Sequence, residues 1–299
     1  MFSPFLLDRY RRIFTEDEIK LLARPMPKAI RVNTLKIGEE ELAARLRDRG
    51  FTLEKIPWTR HGYLVKTCPL PLGATPEYLM GYYFIQDPSS MHACEALGPR
   101  SRDLVLDMAA APGGKTTYLA QIMGNQGTVV AIDLSRRRMK SLRSNVSRLG
   151  VENVLAVRTN ALSVENFGLV FDKILLDAPC TGTGTVHRNR EAAIKDRGDV
   201  EKCTAVQGAL LEAALGVLRD RGVIVYCTCS FLPEENELMV DRLLGRYDLG
   251  VEEVEHGEPG LTSWNGRELS PELRKTRRFY PHVHGTQGFF IAKLRLRKS

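Results

Sequence analysis

Two apolar periodicities organise this chain. IRVNTLK (30–36), FTLEKI (51–56) and GYLVKT (62–67) are short and β-like, while EEELAARLRDRG (39–50) carries a helical stripe ended by glycine. The order β-α-β-β predicts a small α+β module over residues 1–80, closed by the proline- and glycine-rich PLPLGATPEY (69–78). From residue 81 the rhythm changes. LVLDMAA, TVVAIDL, VLAVRTN, KILLDAP and GVIVYCT are apolar, β-rich runs, most of them separated by helical stretches such as SRRRMKSLRSNVSRLG and VEKCTAVQGALLEAALGVL. Such alternation predicts a parallel sheet with helices on both faces over residues 81–299, with ligands at the carboxyl ends of the strands. DPSSMHACEAL (87–97) should open as a helix capped by Asp87 with Pro88 at its first position, and FFIAKLRLRKS (289–299) should add a late strand.

Composition narrows the class. No run of about 18 apolar residues occurs, so a membrane span is not expected. The start lacks a leader-like apolar core, which predicts a cytoplasmic protein. Six cysteines in that setting read as thiols rather than a disulfide framework. The net charge of +7 points to an anionic partner, nucleic acid first, against a merely solvated basic surface. With no exposed apolar stripe in the pattern, a monomer is expected.

The strand ends hold the chemistry. The first is followed by DMAAAPGGKTTYLAQ (107–121), where Gly113 and Gly114 permit a tight turn into a helix starting near Lys115. A phosphate loop needs glycine at 109, which is Ala109, and the dinucleotide GxGxxG pattern is absent. The second strand ends at Asp133, twenty residues after Gly113, a spacing suited to ribose hydroxyls or to capping the next helix. Asn160 and Asp177 close two further strands. A glycine turn with a ribose acid and no phosphate loop favours S-adenosyl-L-methionine over a nucleotide polyphosphate.

Two thiols lie on the same rim: Cys180 in LLDAPCTGTGT (175–185) and Cys229 in VYCTCSF (225–231). A zinc clip using Cys180, Cys227, Cys229, His282 and His284 has poor ligand spacing, and CxC is not a redox CxxC. Cys68, Cys94, Cys203 and Cys227 suit burial. A methyl donor and a thiol together suit carbon-5 of a pyrimidine. Thiolate addition to carbon-6 makes carbon-5 nucleophilic, and loss of the carbon-5 proton later expels the thiol. Asp177 is placed to share a proton with N3, and a cation such as Lys115 would favour the thiolate.

These blocks, namely RVNTLK, YFIQDPSSM, DMAAAPGGKTT, ILLDAPCTGTG, YCTCSFLPEENE and PHVHGTQGFFIAKL, resemble the Sun/Nop-type RNA (cytosine-5) methyltransferases over nearly the whole chain. The resemblance implies a small N-terminal RNA-binding module and a Rossmann-like methyltransferase domain acting on RNA, tRNA first and ribosomal RNA second. It implies Cys229 as the nucleophile, Cys180 in product release, and Asp177 holding the base. Lys115 joins them as a catalytic residue. Ala109, Ala110, Ala111, Pro112, Gly113, Gly114 and Lys115 would line S-adenosyl-L-methionine with Asp133, Arg138, Asn160 and Asp177, and no metal is implied. The family often has cysteine at the place of Ala109, where the backbone makes the contact, and aspartate at that of Asn160, so this chain lacks a charge near the adenine. DNA cytosine methyltransferases share a Pro-Cys motif in which that cysteine attacks, which would make Cys180 the nucleophile. The TCS block and N-terminal module favour RNA. A non-catalytic RNA-binding assembly factor and a nucleotide hydrolase are the competing classes. RRRMKSLRSNVSRLG (136–150) and ELRKTRRFYPH (272–282) could grip phosphates, with Phe279 and Tyr280 either stacking a base or packing in the core.

Overall fold

The computed structural model describes residues 2–297; the last two residues of the FFIAKLRLRKS run lie outside the described residues. In chain order the helices are α1 (Pro4–Tyr10), α2 (Glu16–Leu21), α3 (Glu39–Asp48), α4 (Pro76–Leu79), α5 (Pro88–Leu97), α6 (Gly114–Ile122), α7 (Arg136–Leu149), α8 (Arg197–Gly216), α9 (Glu237–Leu244) and α10 (Pro281–His284). The strands are β1 (Lys28–Val32), β2 (Thr52–Lys55), β3 (Gly62–Thr67), β4 (Tyr83–Ile85), β5 (Leu104–Asp107), β6 (Thr128–Asp133), β7 (Val154–Arg158), β8 (Phe171–Asp177), β9 (Leu218–Thr228), β10 (Leu249–Glu252), β11 (Glu258–Pro259), β12 (Ser263–Trp264), β13 (Arg267–Glu268), β14 (Arg277–Phe279) and β15 (Phe289–Leu296). They fall into two compact units.

The first unit holds residues 27–166 and 170–175. Its antiparallel sheet runs β2-β3-β1-β4. One face packs Ile30, Val32 and Val65 against Leu42 and Leu46 of α3, because the helix presents its apolar stripe at i and i+4. Asp87 caps α5 through the Ser89 amide and Pro88 sits in the first turn, as the sequence predicts. The same unit carries parallel strands in the order β8-β5-β6-β7, with Val105, Leu106, Val129, Val130 and Ile174 all at most 3% exposed. Apolar runs without alternation are what a strand covered on both faces requires.

The second unit holds residues up to Met26, 167–169, and 176 onward. Here β11-β14-β15-β9 pair antiparallel, with β10 pairing with Lys293–Leu296 of β15, beyond the stretch that β14 pairs with; β12 and β13 form a separate hairpin. The end of β8 runs beside β9, the Ala178 amide donating to the Cys227 carbonyl at 2.9 Å. The mixed α/β fold class therefore holds.

Residues 2–22 show an arrangement that sequence reading did not anticipate. They pack in the second unit, where Leu6, Tyr10, Phe14 and Leu22 enclose Phe231 and Leu232. Tyr10 and Phe14 meet the Phe231 ring edge-on at 5.9 and 5.5 Å. These helices thus buttress the segment that directly follows Cys229.

A close backbone approach fixes the same region. The Gly288 amide donates to the Gly184 carbonyl at 2.8 Å. A Cβ on Gly288 would lie 2.1 Å from Phe231 Cε1 and 2.7 Å from Gly184 Cα. Phe231 is held between Tyr10, Phe14 and Tyr280 and has nowhere to move. Gly288→Ala is therefore expected to cost about 1–3 kcal/mol of unfolding free energy, as overpacking does; equal denaturation midpoints for the two proteins would contradict this contact.

Candidate active site

The first unit contains a turn built for close approach. After β5 the backbone passes through Met108 to Pro112, with a cis Ala111–Pro112 peptide, to Gly113 at φ +103°. No other residue type holds that angle without strain, and a Cβ there would lie 2.7 Å from Leu142 Cδ1. Gly113 is the N-cap of α6 and offers no side-chain cap, so the first-turn amides are left to other acceptors. The helix begins at Gly114, one residue before the position expected from sequence.

Asp133, Arg138 and the turn are brought together. Asp133 is 5% exposed at the end of β6. Its carboxylate accepts the Ala111 amide at 3.3 Å and the Ser135 amide at 2.9 Å. Ser135, not Asp133, is the N-cap of α7. Arg138 lies 3.3 Å from Asp133 and donates to the Ala111 carbonyl, while Asn145 donates to that of Pro112 at 2.9 Å. Thr116 ties the start of α6 to Asp107 at 2.7 Å. Lys115 follows half-buried, its carbonyl accepting the buried Cys94 thiol at 3.7 Å. Ala109 is half-buried, and Ala110 and Ala111 are buried. Asn160 is exposed, and its side chain accepts the Leu162 amide at 3.1 Å, closing the turn after β7. No hydrogen bond given by the structure ties Asn160 to Asp133 or Arg138.

Sequence reading missed one support of this turn. Arg31, in the RVNTLK block, is 1% exposed and donates to the Gly114 carbonyl at 2.7 Å, to Thr117 Oγ1 at 3.0 Å and to Gln86 Oε1. Its guanidinium lies 4.6 Å from the centre of the Tyr118 ring. Burial among uncharged partners pushes its pKa down to about 10. Arg31→Met leaves those acceptors without their donor and should cost about 2–3 kcal/mol of stability; a chemical melt indistinguishable from wild type would refute the assignment. The only cue in the sequence was an arginine inside a strand of otherwise apolar inward positions.

The second unit holds the reactive groups. Cys180 Sγ and Cys229 Sγ are 3.3 Å apart, both half-buried and both thiols. The hydrogen bond to Cys229, with burial next, pushes the Cys180 thiol well above its ordinary pKa; either sulfur can be the donor of the pair. Asp177, at the end of β8, accepts the Cys227 thiol at 3.6 Å. Cys227 itself is fully buried, so the adjacent CxC cysteines are unequal. The Gly184 amide donates to the Cys229 carbonyl at 2.9 Å, which locks the two loops in register.

The basic stretches resolve unevenly. Arg136 and Arg137 on α7 are exposed, but Arg148 is held 4.0 Å over Tyr78 and donates to its carbonyl. Phe279 is fully buried and Arg278 is 1% exposed, so for these two packing wins over RNA contact. His282 stacks on Tyr280 at 5.8 Å, and His284 accepts the Tyr280 amide at 3.0 Å. Among the described residues no group of three His, Cys, Asp or Glu side chains is placed to hold a metal, and no helix is long and apolar enough to cross a membrane.

The family model for 16S rRNA methyltransferase RsmB/F matches residues 94–295, and that for the N-terminal domain of 16S rRNA methyltransferase RsmF matches residues 6–88. A 28S rRNA (cytosine-C(5))-methyltransferase of Mus musculus is 39% identical over 98% of this chain. A tRNA (cytosine(49)-C(5))-methyltransferase of Pyrococcus abyssi is 38% identical over 97% of this chain and 95% of its own length. The crystal structure of NSun6 from Pyrococcus horikoshii with SFG is 30% identical, covers 100% of this chain and 99% of its own, and has a TM-score of 0.89. A methyltransferase homolog protein from Pyrococcus horikoshii is 42% identical over 98% of this chain and 99% of its own, with a TM-score of 0.87. The chain spans only 39% of the mouse relative's length and 38% of a human one's. With a family model matched over most of its length, this chain belongs to the RsmB/F family of methyltransferases, the Sun/Nop-type RNA (cytosine-5) enzymes.

Proposed function

We propose that this protein is an S-adenosyl-L-methionine-dependent methyltransferase that forms 5-methylcytosine in tRNA through a covalent bond from Cys229 to carbon-6 of the base. The observation that carries the reading is the 3.3 Å thiol pair at the ends of β8 and β9 beside Asp177. A relative solved with SFG, an analogue of S-adenosyl-L-methionine, supports the donor.

The residues of the first unit suit that donor. The turn Ala109–Lys115 presents backbone groups at a helix start without a side-chain cap. Asp133 receives two amide donors, which leaves acceptor capacity for ribose hydroxyls among the roughly four lone-pair positions of a carboxylate. Arg138 and Asn160 flank it in this reading. When bound, S-adenosyl-L-methionine supplies an electrophilic methyl group.

The chain's own groups do the rest. The Cys229 thiolate adds to carbon-6 and Asp177 hydrogen-bonds the N3 edge of the base, so electron density reaches carbon-5. Cys229 gives up its proton to solvent before attack, and Cys180 faces its sulfur. Once carbon-5 carries the methyl, Cys180, its own proton released to solvent, takes the carbon-5 proton as the carbon–sulfur bond breaks and the Cys229 thiolate departs. Lys115 is proposed to favour the anionic groups of this sequence. Carbon-6 is out of reach in a stacked duplex, so the target cytosine must be unpaired or flipped.

The choice of tRNA rests on the Pyrococcus abyssi relative, which matches at nearly its full length and is named for cytosine 49 of tRNA. Residues 1–80 are proposed to contribute to RNA binding. Six free thiols support a reducing compartment such as the cytoplasm. With labelled donor and tRNA, Cys229→Ala should lower methyl transfer by more than roughly a thousandfold, as loss of a nucleophile does, with donor binding intact by calorimetry. Wild-type methylation by Cys229→Ala would end this reading.

A further inference from the structure

The loops carrying the two thiols are joined by a buried carboxylate that the covalent chemistry does not itself employ. Glu235 is fully buried, two residues before α9. Its Oε1 accepts the Thr181 amide at 2.9 Å and Gln207 Nε2 at 3.0 Å. Its Oε2 accepts the Thr181 hydroxyl and the Ser230 hydroxyl, each at 2.5 Å. Four donors thus fill the roughly four lone-pair positions of one carboxylate. Thr181 directly follows Cys180, and Ser230 directly follows Cys229. Gln207, from α8, also donates to the Pro179 carbonyl at 3.0 Å, on the other side of Cys180.

We propose that Glu235 is a positioning residue for the methyl-transfer reaction, holding the Cys180 and Cys229 loops at the separation their shared proton requires. This rests on the covalent reading above. The four donors come from three parts of the reactive half: the β8 loop supplies two from Thr181, the β9 loop one from Ser230 and α8 one from Gln207. The main chain reinforces the carboxylate. The Tyr226 hydroxyl donates to the Glu235 carbonyl at 2.6 Å, and Asn236 donates to the Ser230 carbonyl at 2.9 Å. Thr183 extends the network, meeting Ser230 Oγ at 3.1 Å and accepting the Phe231 amide at 2.9 Å. No partner in the set is a cation, so no simple ion pair explains the burial. Burial raises the pKa of Glu235 while the four donors pull it down, and burial prevails.

Glutamine cannot replace this group. Its amide offers one oxygen and places an NH2 against donors, so two of the four bonds are lost and turned repulsive. Glu235→Gln should lower kcat by about a hundredfold, the scale of a misplacement near 1 Å, with KM for the methyl donor unchanged. Thr181→Val removes one donor at constant shape and keeps the amide bond; it should show a smaller fall in kcat in the same direction. Glu235→Asp, which keeps the charge, should recover part of the loss.

The experiment measures single-turnover methyl transfer to tRNA with both thiols in place, with and without Glu235→Gln, beside Val225→Ala as a control for a destabilised β9. A slowed transfer with Glu235→Gln, beyond any slowing by a control of equal melting temperature, supports the proposal. Transfer rates equal to the parent with both Glu235→Gln and Thr181→Val overturn it, as does a loss matched by the control. If Glu235→Gln does not fold, Thr181→Val alone decides by the same comparison. Failure of the covalent reading is separate: it appears as methylation retained by Cys229→Ala, whatever Glu235 does.

Discussion

Cys180→Ala should turn the protein into a trap for its RNA. In the proposed mechanism the addition step depends on Cys229, so the adduct should still form, but the carbon-5 proton loses its route and the carbon–sulfur bond should persist. Turnover should fall by about 10²–10⁴-fold, the range of a positioned acid–base group, while a protein–RNA band accumulates on a denaturing gel. The physical basis is the asymmetry of the pair. Cys180 is held above its ordinary pKa by its hydrogen bond to Cys229 and by burial. Free turnover by Cys180→Ala without adduct would remove Cys180 from the mechanism. An adduct that survives Cys229→Ala and vanishes with Cys180→Ala would reverse the two roles, giving the order inferred for DNA enzymes.

The largest effect on stability is expected at Arg278. Its guanidinium donates to Glu237 Oε1 at 2.5 Å, to Glu237 Oε2, and to the Phe231 carbonyl at 2.9 Å. Both side chains are almost completely buried. Arg278→Met keeps much of the volume but strands the Glu237 carboxylate, at a cost of about 3–5 kcal/mol. Replacing both partners with apolar residues of similar size should recover much of that, because the cost lies in the uncompensated charge rather than in the pair. Urea melts of the single and double variants measure it. A single variant as stable as wild type would mean that Glu237 finds water or another donor. Because Arg278 also holds the Phe231 carbonyl, the single variant should lose activity before it loses secondary structure.

These two sites show what can be read from sequence alone and what cannot. Strand ends were legible because apolar runs stop abruptly at Asp107, Asp133, Asp177 and Thr228, and the chemistry clusters just beyond. The glycine turn was legible because no other residue type suits its backbone. The unequal settings of Cys227 and Cys229 were legible from position: Cys227 lies inside the apolar run, while Cys229 lies just past its end. Contacts between distant parts of the chain were not. RRFY reads as a basic, aromatic surface motif until Glu237 is placed against Arg278, 41 residues away. Glu235 reads as one acid in an acidic run, since nothing local announces four donors. Short strands such as β4, β10 and β11 have two to four residues and no period to detect. Residues 2–22 show no strong pattern of their own because their partner, Phe231, lies more than two hundred residues later.

That last contact bears on how the protein is made. The unit with the glycine turn is nearly continuous in sequence, so it can close while the chain is still emerging from the ribosome. The reactive unit has high contact order: Tyr10 cannot meet Phe231 until the chain beyond that residue has been synthesised. The first helices must therefore wait, with Leu6, Tyr10 and Phe14 uncovered, until Phe231 has been made. The thiol pair waits almost as long, because Cys229 lies only two residues before Phe231.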